Sequence, residues 1–223
     1  MQNPTVSGPR GRQACDAAPR APTLGAPQDP SGPQGLHRPR DLGSLRELNL
    51  RFLELDWTRA AFDGRIAALT RTQRAVMAAC PYALFDLRLG DYEYWQLRLQ
   101  DANSWRICDH APVGADHAEF MGLALFFAWY SATAAKLSAK LALSMHERTA
   151  VAFSRITVNR IPDLVVTESA ALSARWSYCA PFWSALALFA ASGDEQRLRR
   201  VQLSGIQLAA ATQLPLRREP RAV

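Results

Sequence analysis

The sequence predicts an all-α fold: a bundle of six to eight helices with helix-turn-helix-like segments, entered from a disordered tail. Three observations predict it. Apolar residues recur at helical spacing from Leu45 onward, capping residues precede several apolar runs, and two-residue alternation is confined to 84–89. With 223 residues, 48% hydrophobic and 21% charged, the chain is long enough to bury a real core.

Residues 1–42 hold eight of the fourteen prolines and, before Leu42 at their end, only two leucines, Leu24 and Leu36. Such a segment cannot bury enough surface to offset its ordering entropy, which predicts disorder. It contains no apolar h-region, so a secretory signal peptide is excluded. An over-extended start would read the same way.

Order begins near Leu42. Leu45, Leu48, Phe52, Leu53 and Leu55 give an amphipathic helix running to about Trp57 or Ala61. Thr70 stands three residues before Gln73, a capping box for a helix 71–80 that Pro81 stops. Residues 84–89 read as a short strand-like piece, Gly90-Asp91 breaks the chain, and Tyr92 to Leu99 forms a helix with an aromatic face. Residues 101–115 form a polar connector. Asp116 and Glu119 make a capping pattern before a long apolar helix, 117–142, and Ser144 with Glu147 caps the next, through Phe153. Thr157 begins a helix into Val166 that Pro162 should kink or delay. Another helix runs from Ala180 to Ser192-Gly193, and Asp194 caps the last, to about Gln213. The expected organisation is a tail 1–42, helical halves 43–115 and 116–214, and a basic tail 215–223.

The two halves echo each other. Thr70, Arg88 and Trp95 match Thr157, Arg175 and Trp183 at offsets of 87, 87 and 88 residues. Internal duplication and the general likeness of capped helices both account for this.

The apolar uncharged run Phe120 to Ala135 has sixteen residues, short of the about 20 a membrane span needs. A buried core helix is expected, and no membrane contact. The four cysteines, at 15, 80, 108 and 179, share no motif spacing, so no disulfide framework is expected. Together these features place the protein in the cytoplasm.

Chemistry-bearing motifs are sparse. Cys108, Asp109, His110, Asp116 and His117 cluster potential metal ligands, but the spacing matches no standard zinc site and a polar loop is expected. There is no G-x-S-x-G, Gly-rich phosphate loop, H-E-x-x-H or C-x-x-C. An enzyme, a cofactor and a small-molecule substrate are therefore not expected. The net charge of +6, from 24 Arg and two Lys against 20 acids, fits a polyanion without demanding one. Arg148, Arg155 and Arg160 flank the junction of two short capped helices, where a helix-turn-helix offers cations to phosphates. Arg71 and Arg74 hold the matching place in the first half.

The stretch Glu47-Leu48-Asn49-Leu50-Arg51-Phe52-Leu53-Glu54-Leu55 resembles the first helix of the FlhD family, the D subunit of the bacterial flagellar transcriptional activator, which opens with an Asn-Leu-x-aromatic-Leu core. Leu143-Ser144-Met145-His146-Glu147, Ile156-Thr157 and Leu164 to Arg175-Trp176 are similar to its later part: a Leu-Gly-Ile-x-Glu helix start, a Leu-Ser/Thr cap and an Arg-aromatic segment. Leu69-Thr70 through Arg88-Leu89 offers a parallel match in the first half. The family is about half this length, has Gly where Ser144 stands, and lacks the interruption at Pro162. The resemblance implies a dimerising helical part, a helix-turn-helix-like part, and a role in transcription, binding promoter DNA with a zinc-containing C subunit. Two partial copies in one chain would make an internal pseudo-dimer. Two functions stay open: a DNA-binding regulator with a partner subunit or as a homodimer, using Arg148, Arg155, Arg160, Arg71 and Arg74, and a helical protein-interaction adaptor without DNA contact. A contiguous basic face favours the first; scattered arginines and an exposed apolar patch favour the second.

Overall fold

A computed structural model describes residues 39–100 and 114–213. Within them lie ten α-helices and one two-stranded sheet, the all-α architecture that the apolar spacing predicts.

Helix α1, Pro39–Glu54, starts three residues before Leu42 and buries Leu45, Leu48, Phe52 and Leu53. Leu55 breaks the helical path, α2 follows at Asp56–Ala60, and a 3-10 turn spans Phe62–Gly64. Thr70 and Gln73 form the complete capping box of α3, Arg71–Met77. The box satisfies two of the backbone N–H groups that a helix start leaves orphaned. The alternation at 84–89 condenses to β1, only Phe85–Asp86. Helix α4, Tyr92–Gln100, is capped by Asp91, whose Oδ1 accepts from the Tyr94 N–H at 3.0 Å.

The apolar helix expected over 117–142 is two helices, α5, Ala115–Ala134, and α6, Lys136–Leu143, parted at Ala135 (φ −151°, ψ 66°). Gly114, which has no side chain to cap with, stands at the start of α5; Asp116, expected as the cap, lies already in the first turn, and Glu119 faces Arg51 at 3.1 Å. For α7, Glu147–Arg155, His146 replaces Ser144 as the cap, its Nδ1 accepting from the Arg148 N–H at 3.2 Å. Ser144 closes α6 instead, in the left-handed region at φ 51°. Pro162 delays its helix as expected: a 3-10 turn, Val158–Arg160, precedes α8, Ile161–Glu168, with the proline in its first turn. The Thr157 hydroxyl caps nothing. After β2, Ser173–Ala174, helix α9 covers Ala180–Ser192 and ends on Gly193 at φ 70°. Asp194 caps α10, Glu195–Gln213, through the Arg197 N–H at 2.9 Å.

Packing crosses between the halves: α1 lies on α5, α3 on α9 and α4 on α7. The strands β1 and β2 pair antiparallel, Phe85 opposite Ala174 and Asp86 opposite Ser173. Phe52, Phe85 and Phe120 bring α1, β1 and α5 together, with ring centroids 5.2–5.9 Å apart. The echo between the halves has matching local features here, in a register of 88 residues. Trp95 Nε1 donates to the Leu87 carbonyl at 3.1 Å, and Trp183 Nε1 to that of Arg175 at 2.9 Å. Arg88 (φ 56°) and Trp176 (φ 51°) both take the left-handed conformation. Arg88 therefore corresponds to Trp176, one residue beyond the expected Arg175.

Gly205 sits buried in the middle of α10, where glycine costs about 1 kcal/mol relative to alanine. The reason is Tyr82: a Cβ on residue 205 would meet its Oη at 2.0 Å. That ring is 1% exposed, packs edge-on against Trp176, and donates its hydroxyl to the Gln202 carbonyl at 3.0 Å, so it has nowhere to go. Gly205→Ala should thus destabilise the protein by about 1–3 kcal/mol despite the better helix former. Urea unfolding checks this; a gain in stability would contradict it.

Candidate functional site

Arg148 and Arg155 lie seven residues apart on α7, two helical turns, and both are exposed opposite the buried Thr149, Ala150 and Phe153. Arg148 stands 5.7 Å from the centroid of the Tyr92 ring. Neither has an ion pair among the described residues. Arg160, half-buried, is 4.0 Å from Asp163. In the first half, Arg71 binds Glu54 at 3.2 Å. Arg74 turns inward, donating from Nη1 to the Leu69 carbonyl while its Nε is buried without a partner. Helix α3 packs on α1 and α9, whereas α7 packs on α4, α5 and α6. The structure therefore brings Arg148 and Arg155 onto one face and places Arg71 and Arg74 on an element that α7 does not pack against.

Elsewhere several arginines are neutralised locally. Arg51, Arg88 and Arg197 each face a carboxylate, Arg88 reaching Asp91 at 2.7 Å. The Tyr94 backbone N–H, with Arg88 beside it, holds the Asp91 carboxyl below the usual range. Glu168, nearly buried on α8, accepts from Arg98 Nε and from the Tyr94 hydroxyl, tying α4 to α8. Burial, together with that carboxylate, pushes the Tyr94 phenol up to about 12.

One arginine carries a different duty. Arg175 is 5% exposed and borders an open cleft of about 370 Å³. Its Nη1 donates to the carbonyls of Ala83 (3.2 Å) and Ala142 (2.9 Å), and its Nη2 to Ser144 Oγ. Burial lowers the guanidinium to about 10, opposed by the charge of Asp86, so it stays protonated at neutral pH. Lys140, Arg175, Asp86 and Glu147 all line the cleft, two charges of each sign. Arg175 acts as a joint between the approach to β1, the end of α6 and the left-handed turn at Ser144.

The surface that sequence reasoning missed is on α5 and α6. The uncharged run 120–135 reads as a core helix, and one side of it is: Phe120, Met121, Ala124, Leu125, Phe127 and Ala128 are buried. The other side is not. Leu123, Phe126 (47%) and Tyr130 (44%) are exposed on α5, and Leu137 (53%) and Leu141 on α6. The signal was present in the spacing 123, 126, 130, 137, which no single core-facing stripe requires.

The loop holding Cys108, Asp109 and His110 lies outside the described residues. Asp116 is exposed, and His117 contacts the Ser169 carbonyl through Nε2 at 2.9 Å and packs near Trp57. Among the described residues no three potential ligands converge, and no helix is long and apolar enough to cross a membrane. Comparison with protein-family models, curated proteins and solved structures returned no match.

Proposed function

We propose that this chain is an FlhD-like regulatory subunit that acts through protein contact, carrying in one polypeptide two partial copies of the family's unit. The observation behind this reading is the division of the surface. Arginines are scattered, and eight of the described ones face a neighbouring carboxylate, while uncovered apolar side chains stand on α5 and α6. Two motif positions support the resemblance. Asn49, of the Asn-Leu-x-aromatic-Leu core, is fully buried and hydrogen-bonded, and Ser144 takes left-handed backbone where the family carries glycine. The role that follows is in transcription, flagellar by resemblance, inside a cytoplasmic assembly that needs neither catalysis nor cofactor.

Direct DNA contact is the second reading, favoured by Arg148 and Arg155 on one face. Two arginines neutralise about two phosphates, worth a log–log salt slope of about 1.8. Fluorescence anisotropy of a labelled duplex against the full chain, at several salt concentrations, separates the two. Under the protein-contact reading, Arg148→Ala with Arg155→Ala leaves both affinity and slope unchanged. A slope flatter by one to two units in the double variant would restore these arginines to the DNA and overturn the reading.

A further inference from the structure

A buried charge is ordinarily paired with an opposite one. Arg175 departs from this. It is buried, yet among the described residues no carboxylate forms an ion pair with it, and Asp86 acts on it only through space. Its three hydrogen bonds go to neutral acceptors, the carbonyls of Ala83 and Ala142 and the hydroxyl of Ser144. They account for three of the five N–H donors of a guanidinium. The rings of Trp176 and Tyr82 hold it from the side, with centroids 4.6 and 5.8 Å from its central carbon. The group is therefore fixed in place beside an open cleft, as a recognition group has to be. Ser144 stands next to it as a further donor. Its Oγ accepts from Arg175, and its own O–H has no acceptor among the described residues.

The other charges of the cleft narrow what these donors could receive. Asp86 of β1 and Glu147, the first residue of α7, line it as well. A plain anion, phosphate included, would meet both acids. A plain cation would meet Arg175 and Lys140, the second of which is already engaged within the chain. A small molecule with one charge of each sign is complementary to both sets. The volume of about 370 Å³ sits at the low end of ligand sites, which run from roughly 300 to 1,000 Å³. Tyr178, 76% exposed on the cleft wall, offers a ring to an apolar substituent. We propose that this cleft is a binding site for a free α-amino acid with an aromatic or aliphatic side chain. Its carboxylate meets Arg175 and Ser144, its ammonium turns to Asp86 and Glu147, and its side chain lies against Tyr178. Bound there, it ties the β1–β2 sheet to the start of α7.

This site goes beyond the protein-contact reading and does not depend on it. Isothermal titration calorimetry of the full chain with L-phenylalanine should show saturable binding of one molecule per chain, with a Kd of about 1 mM or tighter. Two relatives of that probe each lack one charge: 3-phenylpropanoate has no ammonium, and phenethylamine has no carboxylate. Each should bind about tenfold more weakly or worse. Asp86→Asn with Glu147→Gln should lower the affinity for L-phenylalanine to that for 3-phenylpropanoate, without weakening the latter. The Asn keeps the Oδ1 that accepts from the Arg88 N–H at 2.8 Å, so the variant retains this turn. Ser144→Gly removes the hydroxyl at a left-handed position that glycine takes readily, and should weaken both carboxylates while circular dichroism stays unchanged. Arg175 itself is a poor probe, because its loss would also undo the joint. No saturable binding of L-phenylalanine or L-leucine up to about 10 mM overturns the site. Equal affinity for 3-phenylpropanoate and L-phenylalanine overturns the zwitterion as ligand class. Binding that survives in both variants overturns this cleft as the place where the amino acid sits.

Discussion

Replacing Trp183 with alanine is expected to lower the unfolding free energy by about 3–5 kcal/mol, the range for removing a buried indole. Trp183 is 1% exposed, stacks on Phe62 with ring centroids 4.5 Å apart, and bonds the Arg175 carbonyl through Nε1. Domains of this kind are stable by only about 5–15 kcal/mol, so the variant should stand near the edge of unfolding. Trp95→Ala should do the same, because Trp95 is fully buried, meets Phe153 at 4.9 Å and bonds the Leu87 carbonyl. Phenylalanine at either position separates the two contributions. It keeps most of the apolar volume but leaves one buried carbonyl without its donor, at about 1–3 kcal/mol. Both Phe variants should cost similar amounts, since the bond is the same in each half. Urea unfolding followed by circular dichroism measures all four. Phe variants indistinguishable from the wild type would show that the indole bonds are incidental and that the repeat lies only in the packing.

The pair of tryptophans also shows how far the sequence could be read. Their offset of 88 residues is visible without coordinates, but Arg88 and Arg175 draw the eye to an offset of 87. The structure assigns those two arginines opposite tasks. Arg88 is exposed and pairs with Asp91, whereas Arg175 is buried as a joint. What is shared is the left-handed backbone at Arg88 and Trp176, which residue types do not announce. Caps were legible where the side chain had one partner in reach, as at Thr70 and Asp194. They misled where another residue reached the helix end first: His146 rather than Ser144 caps α7. Helix α5 misled for a further reason. Apolar composition says that surface will be covered, but not whether the cover is the chain's own core. In the candidate site, the exposed face of Arg148 and Arg155 follows from their seven-residue spacing. The inward turn of Arg74 depends on tertiary packing that spacing does not encode.

Asn49 offers the sharpest test of the first-helix motif, because its amide is a three-way link. It is fully buried; its Nδ2 donates to the carbonyls of Ala78 (3.2 Å) and Tyr82 (2.9 Å), and its Oδ1 accepts from the Leu84 N–H at 2.8 Å. Those three groups belong to the turn between α3 and β1, which has no ladder of its own to satisfy them. Asn49→Leu keeps the volume and orphans all three, for an expected loss of about 3–5 kcal/mol, each unpaired group costing about 1–3 and the costs overlapping. Asn49→Asp should be worse at neutral pH. It still accepts from Leu84, but it turns a buried carboxylate toward two carbonyls. Burial and those carbonyls raise its folded pKa above the unfolded value of about 3.9. The protonated acid can donate to one carbonyl, so its contribution is fully present below about pH 3.9 and is lost as pH rises through the folded pKa. The deficit of Asn49→Asp against the wild type should therefore grow between pH 4 and 8, while that of Asn49→Leu stays level. Urea midpoints for the three proteins across this range check it. Parallel pH profiles for the two variants would mean that the site admits water, and that Asn49 is not the dry link its hydrogen bonds describe.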